Sequence, residues 1–266
     1  MKCPRALLLV LAVAVALLPV AFFRMAEGQT MEAPTGFDNL TNGLVDQATH
    51  DADRAVFELA RTVADGLGPP FNRTSCVDCH ATPVTGGVSA VTELLAGSVV
   101  GGSFVARIVH ENAICPAAQD PPPSPTEITT HRLTVNLLGD GYVESISDTT
   151  LSQIQASQPA SLRGTLLMVP ALEGGTGAGR FGWKNQHVSL LSFAADDFLS
   201  QIGITNALLP NELTTVCDTV ADPEDVTNDT AALARFIRAA KAPPRYAKLA
   251  ATPDARAGPK RSTSNG

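Results

Sequence analysis

One short motif constrains this chain more than any other feature. Two cysteines three positions apart are followed at once by a histidine, at Cys76, Cys79 and His80. This Cys-x-x-Cys-His pattern is the attachment signature of a c-type haem. Each thiol can add to one vinyl group of the haem, and the histidine can present a ring nitrogen to the iron. The motif therefore predicts one covalently attached haem c, held by Cys76 and Cys79, with His80 as the metal ligand.

Two other kinds of site use a Cys-x-x-Cys pair. A redox dithiol of the thioredoxin kind sits where a strand turns into a helix, but here the pair follows a loop that contains Gly68, Pro69 and Pro70. A zinc site needs a second Cys-x-x-Cys or a His-x-His partner, and the sequence contains neither. Both readings are weaker than haem attachment.

The N-terminus has the features of an export signal. Lys2 and Arg5 precede an unbroken apolar run over residues 6–23, and Arg24 follows it. The run approaches the length of a membrane span, and no clean Ala-x-Ala cleavage site follows it. We therefore expect residues 1–28 to be either a signal peptide or an N-terminal anchor in the inner membrane. The protein would then be periplasmic or otherwise extracytoplasmic, where c-type haem is attached.

The charge of the chain argues against one class of partner. The formal net charge is −7 at pH 7, so a general nucleic-acid binder is not expected. An acidic stretch over residues 218–229 is read as a solvated loop, with a calcium site as the alternative, although its carboxylates do not follow EF-hand spacing. Cys115 and Cys217 form either a disulfide, which an oxidising compartment permits, or two separate buried thiols.

Apolar periodicity predicts several helices. The first should begin near Asp51, bury Val56, Leu59 and Val63, and end at Gly66. Further helices are expected over residues 149–155, 189–201 and 231–242. The alternation of apolar residues around Phe104 predicts a short strand, and the glycine-rich residues 97–102 are read as a loop. The pattern predicts a mainly α, cytochrome c-like haem domain with long irregular loops and insertions over residues 29–250. A disordered tail should follow over residues 251–266.

Several stretches, taken in order, resemble the bacterial di-haem oxidoreductases, a peroxidase-related and thiol-oxidoreductase-like family of c-type cytochromes. The resemblance covers residues 36–257. The stretches that carry it are Gly-Leu-Gly-Pro-Pro-Phe-Asn at 66–72, the haem motif at 75–80, Gly-Gly at 86–87, Gly-Asp-Gly-Tyr-Val-Glu at 139–144, Gly-Arg-Phe-Gly-Trp-Lys at 179–184, Gly-Ile-Thr at 203–205 and Lys-Ala-Pro-Pro-Arg at 241–245.

The sequence departs from that family in one respect. Family members have a second Cys-x-x-Cys-His shortly after the Lys-Ala-Pro-Pro-Arg stretch, whereas this chain continues into residues 258–266 without one. We therefore expect a truncation near Gly258 that removes the second haem domain. Because family enzymes use one haem for chemistry and another as an electron relay, peroxidase activity is not directly predicted, and a non-functional truncated remnant is a further alternative.

The sixth ligand of the iron would decide what the haem does. A Met or His in that position makes an electron carrier, whereas an empty position makes a site for peroxide or another small ligand. The candidates in the sequence are Met168, His110, His131, His187 and His50.

Three other residues are candidates for roles beside the haem. Glu144 is a candidate acid–base group for peroxide cleavage, with a structural carboxylate as the alternative. Arg180 is a candidate partner for a haem propionate, and Trp183 a candidate electron relay, with simple packing as the alternative. The sequence thus predicts an exported haem protein with electron-transfer activity, whose redox partner is another protein or a small reductant. A peroxidase-type oxidoreductase is the alternative.

Overall fold

A computed structural model describes residues 32–245 of the chain. The predicted export segment and the predicted disordered tail both lie outside the described residues. None of the described helices is long and apolar enough to cross a bilayer.

The described part contains both helices and strands. The α-helices are α1 (Gln47–Glu58), α2 (Asp140–Glu144), α3 (Asp148–Ser157), α4 (Leu190–Ile202) and α5 (Asp229–Ala239). The strands are β1 (Pro70–Phe71), β2 (Thr92–Val100), β3 (Ser103–Val109), β4 (Asn112–Ala113), β5 (Ile128–Leu133), β6 (Met168–Pro170) and β7 (Thr176–Ala178). The prediction of a mainly α fold is therefore wrong. The described residues form a mixed α/β fold with several antiparallel sheets.

The largest of these sheets is the main reason why the prediction of a mainly α fold was wrong. It has the strand order β3-β2-β5, and both of its pairings are antiparallel. Strand β2 contains Gly97, which the sequence assigned to a loop; only Gly101 and Gly102 form the turn into β3. A Cβ at Gly97 would lie 2.1 Å from the carbonyl oxygen of Val105, so glycine permits this close strand pairing. The predicted strand around Phe104 is confirmed as part of β3.

Helix α1 begins earlier than its sequence pattern indicated. Asp46 is its N-cap, and the Asp46 side chain accepts a hydrogen bond from the backbone N–H of Thr49. The buried face consists of His50, Asp53 and Phe57. The predicted face is wrong beyond the helix end, because α1 stops at Glu58 and leaves Leu59 49% exposed and Val63 43% exposed.

The other predicted helices are confirmed with small shifts at their ends. They are α3, which begins after the N-cap Ser147, together with α4 and α5. Helix α5 packs against α1, α2 and α4 and buries Leu233, Phe236 and Ile237. At the α2–α5 contact, a Cβ on Gly141 would lie 2.1 Å from the carbonyl oxygen of Arg238, so the two backbones meet without a side chain between them. Helices α4 and α5 supply most of the hydrophobic core.

A disulfide joins Cys115, which follows β4, to Cys217. The second cysteine belongs to the stretch 203–228, which contains neither helix nor strand. Of the two readings of these cysteines, the structure adopts the paired one. The disulfide ties this irregular stretch to the segment between β4 and β5.

Candidate functional site

The predicted haem motif lies on one tight turn. Cys76–Asp78 is a single turn of 3-10 helix, and the Asp78 carboxylate accepts a hydrogen bond from the backbone N–H of Ser75 at its start. The backbone N–H groups of Cys79 and His80 both donate to the carbonyl oxygen of Cys76, at 3.2 and 3.0 Å. The turn therefore brings both cysteines and the histidine into one compact unit.

Both cysteines of the motif are free thiols. Burial, with the nearby Asp197 carboxylate as a smaller cause, raises the pKa of Cys76 to about 12. Burial likewise raises the pKa of Cys79. A redox dithiol works through a thiolate with a lowered pKa, so this environment is unfavourable for thioredoxin-like exchange.

His80 has the protonation state that a metal ligand needs. Burial lowers its pKa to about 4, although hydrogen bonding to the backbone of Gly87 and Val135 acts in the opposite direction. The imidazole is therefore neutral at neutral pH. The Nδ1 atom lies 3.1 Å from the carbonyl oxygen of Gly87, which favours a proton on Nδ1 and a lone pair on Nε2. The edge of the His80 ring meets Phe57 of α1, with 6.1 Å between the ring centroids.

All three motif residues line one cavity of about 680 Å³. This volume falls within the range of roughly 300–1,000 Å³ that is usual for small-molecule and cofactor sites. One side, the helical wall, comes from α1, α4 and α5 and is formed by Phe57, Phe193, Phe198, Leu233 and Ile237. A second group of lining residues, the sheet wall, comes from β2, β3 and β5 and is formed by Thr92, Leu95, Phe104, Ile108 and Leu133.

The cavity also carries charged groups that the sequence did not single out. Arg73, Arg132 and Lys184 line it, as do several carboxylates. Arg73 pairs with Glu111 at 2.6 Å, and Arg132 lies 4.0 Å from Glu93. Arg132 reaches the cavity because the β2–β5 register places it opposite Glu93, a pairing that only the folded sheet specifies. Lys184 had a local signal, since it directly follows Trp183 in one of the family-like stretches.

None of the five candidates for the sixth ligand lines the cavity. Met168 lies in β6 and is 55% exposed. The His50 ring stacks on Phe236 in the core, and His187 lies 3.2 Å from an Asp196 carboxylate oxygen. His131 is exposed on β5.

His110 is committed to two other partners. Its Nδ1 lies 2.6 Å from the Asp120 carboxylate, and its Nε2 lies 2.8 Å from the carbonyl oxygen of Ser200. Among the described residues that line the cavity, His80 is the only histidine, and none is a methionine.

Glu144 is a structural carboxylate. It binds the Arg238 guanidinium through two hydrogen bonds and accepts a third, at 2.7 Å, from the backbone N–H of Leu190 at the start of α4. It does not line the cavity. The structure thus favours the second of its two readings, in which it joins α2, α4 and α5.

Of the candidates Arg180 and Trp183, one lies away from the cavity and the other lines it. Arg180 binds the Asp148 carboxylate and the carbonyl oxygens of Ile146 and Val188, and it does not line the cavity. Trp183 does line it, is 49% exposed, and has the Arg132 guanidinium 5.9 Å from its ring centre. Of these two residues, only Trp183 lines the cavity, and its side chain is also exposed.

A second group of carboxylates lies outside the cavity. Glu212, Asp222 and Glu224 bring oxygens within 4.8 Å of one another. No other cluster of this kind is found in residues 32–245, so Cys76 and Cys79 do not belong to a three-ligand metal group there. This argues against the zinc reading of the motif.

No family model, curated protein or solved structure matches this chain. The site therefore has to be interpreted from its own geometry.

Proposed function

We propose that this protein is an exported c-type haem protein that carries one covalently attached haem and transfers single electrons. The observation that carries the proposal is that Cys76, Cys79 and His80 line the same cavity. Two free thiols and a neutral imidazole on one turn, facing a largely apolar space, are the groups that covalent haem attachment requires.

Different residues of the cavity would bind different parts of the haem. Cys76 and Cys79 would form the thioether bonds, and His80 Nε2 would ligate the iron while Gly87 holds the other ring nitrogen. Arg73, Arg132 and Lys184 are the cavity cations suited to the propionates, since guanidinium and ammonium groups bind carboxylates through charge-assisted hydrogen bonds. The bound haem supplies a one-electron redox centre.

The partner of this reaction is proposed as a redox protein or a small reductant outside the cytoplasm. The export-type residues 1–28 support that compartment, either as a cleaved signal or as an inner-membrane anchor. Trp183 is the proposed contact point for electrons, because it lines the cavity and is 49% exposed. The proposal includes the resemblance of this chain to the N-terminal part of di-haem oxidoreductases.

One observation favours a second candidate, a peroxidase-type oxidoreductase that binds peroxide or another small ligand. None of the five candidate side chains for the sixth position lines the cavity. A haem held by His80 would then take no sixth ligand from these five residues, as a site for a small ligand requires. Glu144 is not available as the acid–base group of such a reaction, because Arg238 and Leu190 hold it elsewhere.

Haem attachment can be tested directly. The chain, produced with a c-type haem maturation system, should give a haem stain that survives denaturing gel electrophoresis. The Cys76→Ala, Cys79→Ala double variant should lose the stain, because no thioether bond can form. The matched control is Cys115→Ala, Cys217→Ala, which removes two cysteines outside the cavity and should keep it. Covalent haem in the first double variant would contradict the proposal.

The spectrum of the ferric protein distinguishes the two candidate functions. An open sixth position should give a high-spin ferric spectrum that changes to low spin when imidazole or cyanide is added. A low-spin spectrum without any added ligand would mean that a side chain fills the position. That result would support an electron carrier and contradict the peroxidase-type candidate.

A further inference from the structure

One carboxylate occupies the middle of the α4 surface that faces the cavity. Asp197 has the cavity-lining residues Phe193 and Ala194 one turn before it, and Ser200 and Gln201 one turn after it. Residues three and four apart share one face of a helix. Asp197 therefore lies at the centre of the stripe through which α4 meets the cavity, and it lines the cavity itself.

Asp197 differs from the other carboxylates of the cavity in having no partner. Glu111 binds Arg73, and Glu93 accepts a hydrogen bond from Gln201 at 2.9 Å. Asp196, the neighbour on the same helix, lies 3.2 Å from His187. In the described part of the chain, no hydrogen bond or ion pair joins the Asp197 side chain to another residue.

The charged groups that face Asp197 disfavour its ionised form. The carboxylates of Glu93 on β2 and Asp196 on the same helix both act on Asp197, while Cys76 faces it from the turn Cys76–Asp78 as a neutral thiol. Arg61, a cation whose charge acts on Cys76, is engaged elsewhere, because it binds Asp229 at 2.7 Å and lies 5.2 Å from the centre of the Phe198 ring. Leu233 and Ile237 of α5 add only apolar surface. Burial, followed by the repulsion from Asp196 and Glu93, raises the pKa of Asp197 well above its ordinary value.

We propose that Asp197 is a proton-exchanging carboxyl of the haem cavity, which takes up one proton from solvent when the bound haem gains one electron from a one-electron reductant. This inference rests on the proposed haem attachment. Each reduction adds one negative charge to the cavity and each protonation of Asp197 removes one, so the net charge of the cavity stays constant. On reoxidation, the electron leaves to the acceptor and the proton returns to solvent.

The coupling follows from electrostatics within one cavity. A negative charge added at the haem would act on an unpartnered carboxyl that lines the same cavity, and it would raise the affinity of that carboxyl for a proton. By linkage, protonation of the acid must favour the reduced haem to the same extent. The midpoint potential should therefore fall as pH rises between the two pKa values that Asp197 has in the oxidised and reduced proteins.

The test is a redox titration of the haem-loaded protein at a series of pH values. Asp197→Asn keeps the shape of the side chain without its proton and should lose most of the pH dependence of the midpoint potential. Asp197→Glu should restore it. The control Asp51→Asn removes an exposed carboxylate on α1, outside the cavity, and should keep the wild-type dependence.

A second measurement uses the wild-type protein. Its reduced-minus-oxidised infrared difference spectrum should contain the carbonyl stretch of a protonated carboxylic acid, and this band should disappear in Asp197→Asn. An unchanged pH dependence in Asp197→Asn, or the absence of the band from the wild-type spectrum, would overturn the role of Asp197 while leaving haem attachment intact. Failure to attach haem at all would instead overturn the proposed function, and this inference with it.

Discussion

The two walls of the cavity are built differently. On the helical wall, Phe193, Phe198, Leu233 and Ile237 are buried and belong to the hydrophobic core. On the sheet wall, Phe104 is 39% exposed and Leu133 is 54% exposed, and the neighbouring β2 and β3 residues Val100 and Val105 are also exposed. The cavity is thus lined partly by the core and partly by a sheet in which Leu95 is buried but Phe104 and Leu133 are exposed.

This difference indicates how the two walls contribute. The helical wall is stabilised whether or not anything fills the cavity, because its side chains pack on one another. The sheet wall has few such contacts, so a bound apolar cofactor would cover surface that is otherwise exposed to solvent. We therefore expect the helical wall to determine the stability of the fold, and the sheet wall to depend more on what occupies the cavity.

The largest expected effect comes from truncating the helical wall. Phe198→Ala should lower the free energy of unfolding by about 3–5 kcal/mol, because a buried phenyl ring is lost and a void remains. Denaturant unfolding of the variant and the wild type would measure the difference. The matched control on the sheet wall is Phe104→Ala, which should cost no more than about 1 kcal/mol, since the side chain is already partly in solvent. Equal losses at the two positions would contradict the comparison.

A smaller effect is expected from Glu144, which joins the helices behind the helical wall. Glu144→Gln should cost about 1–3 kcal/mol near neutral pH, because the charged hydrogen bonds to Arg238 are lost. Burial would raise the pKa of Glu144, but the hydrogen bonds from Arg238 and from the Leu190 N–H outweigh it and lower the pKa. The Glu144 contribution is therefore present above the ordinary glutamate pKa and lost as pH falls through the lowered pKa of the folded protein. The stability difference between variant and wild type should narrow in acid.

The control for that variant lies on the sheet side of the molecule. Glu111 pairs with Arg73 at 2.6 Å, but its side chain is 45% exposed. Glu111→Gln should change the free energy of unfolding by less than about 1 kcal/mol, as exposed ion pairs generally do. If Glu111→Gln proved more costly than Glu144→Gln, the assignment of stability to the helical side would be wrong.

The turn that carries Cys76, Cys79 and His80 shows what nearby residues in the sequence can determine. The spacing of Cys76, Cys79 and His80 within a few residues was sufficient to place them on one turn, because a tight turn brings such neighbours together whatever surrounds it. The candidates for the sixth ligand came from distant positions, and none of the five lines the cavity. Chain spacing carries no information about which distant side chain crosses a cavity.

The strands show where the periodicity argument fails. Helices α3, α4 and α5 could be predicted because their apolar stripes and their capping residues are local signals. The prediction of a loop at Gly97 was wrong, because only the folded sheet shows the close approach of the Val105 carbonyl oxygen that requires a glycine there. The export segment and the haem itself stay predictions.

The sequence by itself determined that Cys76, Cys79 and His80 lie on one turn, and it determined most of the helices, because both depend on residues within one or two turns of each other. Only the tertiary structure decided that the fold is mixed α/β, that Glu144 and Arg180 are engaged in structural contacts, and that Arg132 and Asp197 face the same cavity as His80. The physical reason is that a side chain's environment is set by whichever elements pack against it. Here Gln201 of α4 binds Glu93 of β2 across 108 residues of the chain, and Arg238 of α5 binds Glu144 of α2 across 94.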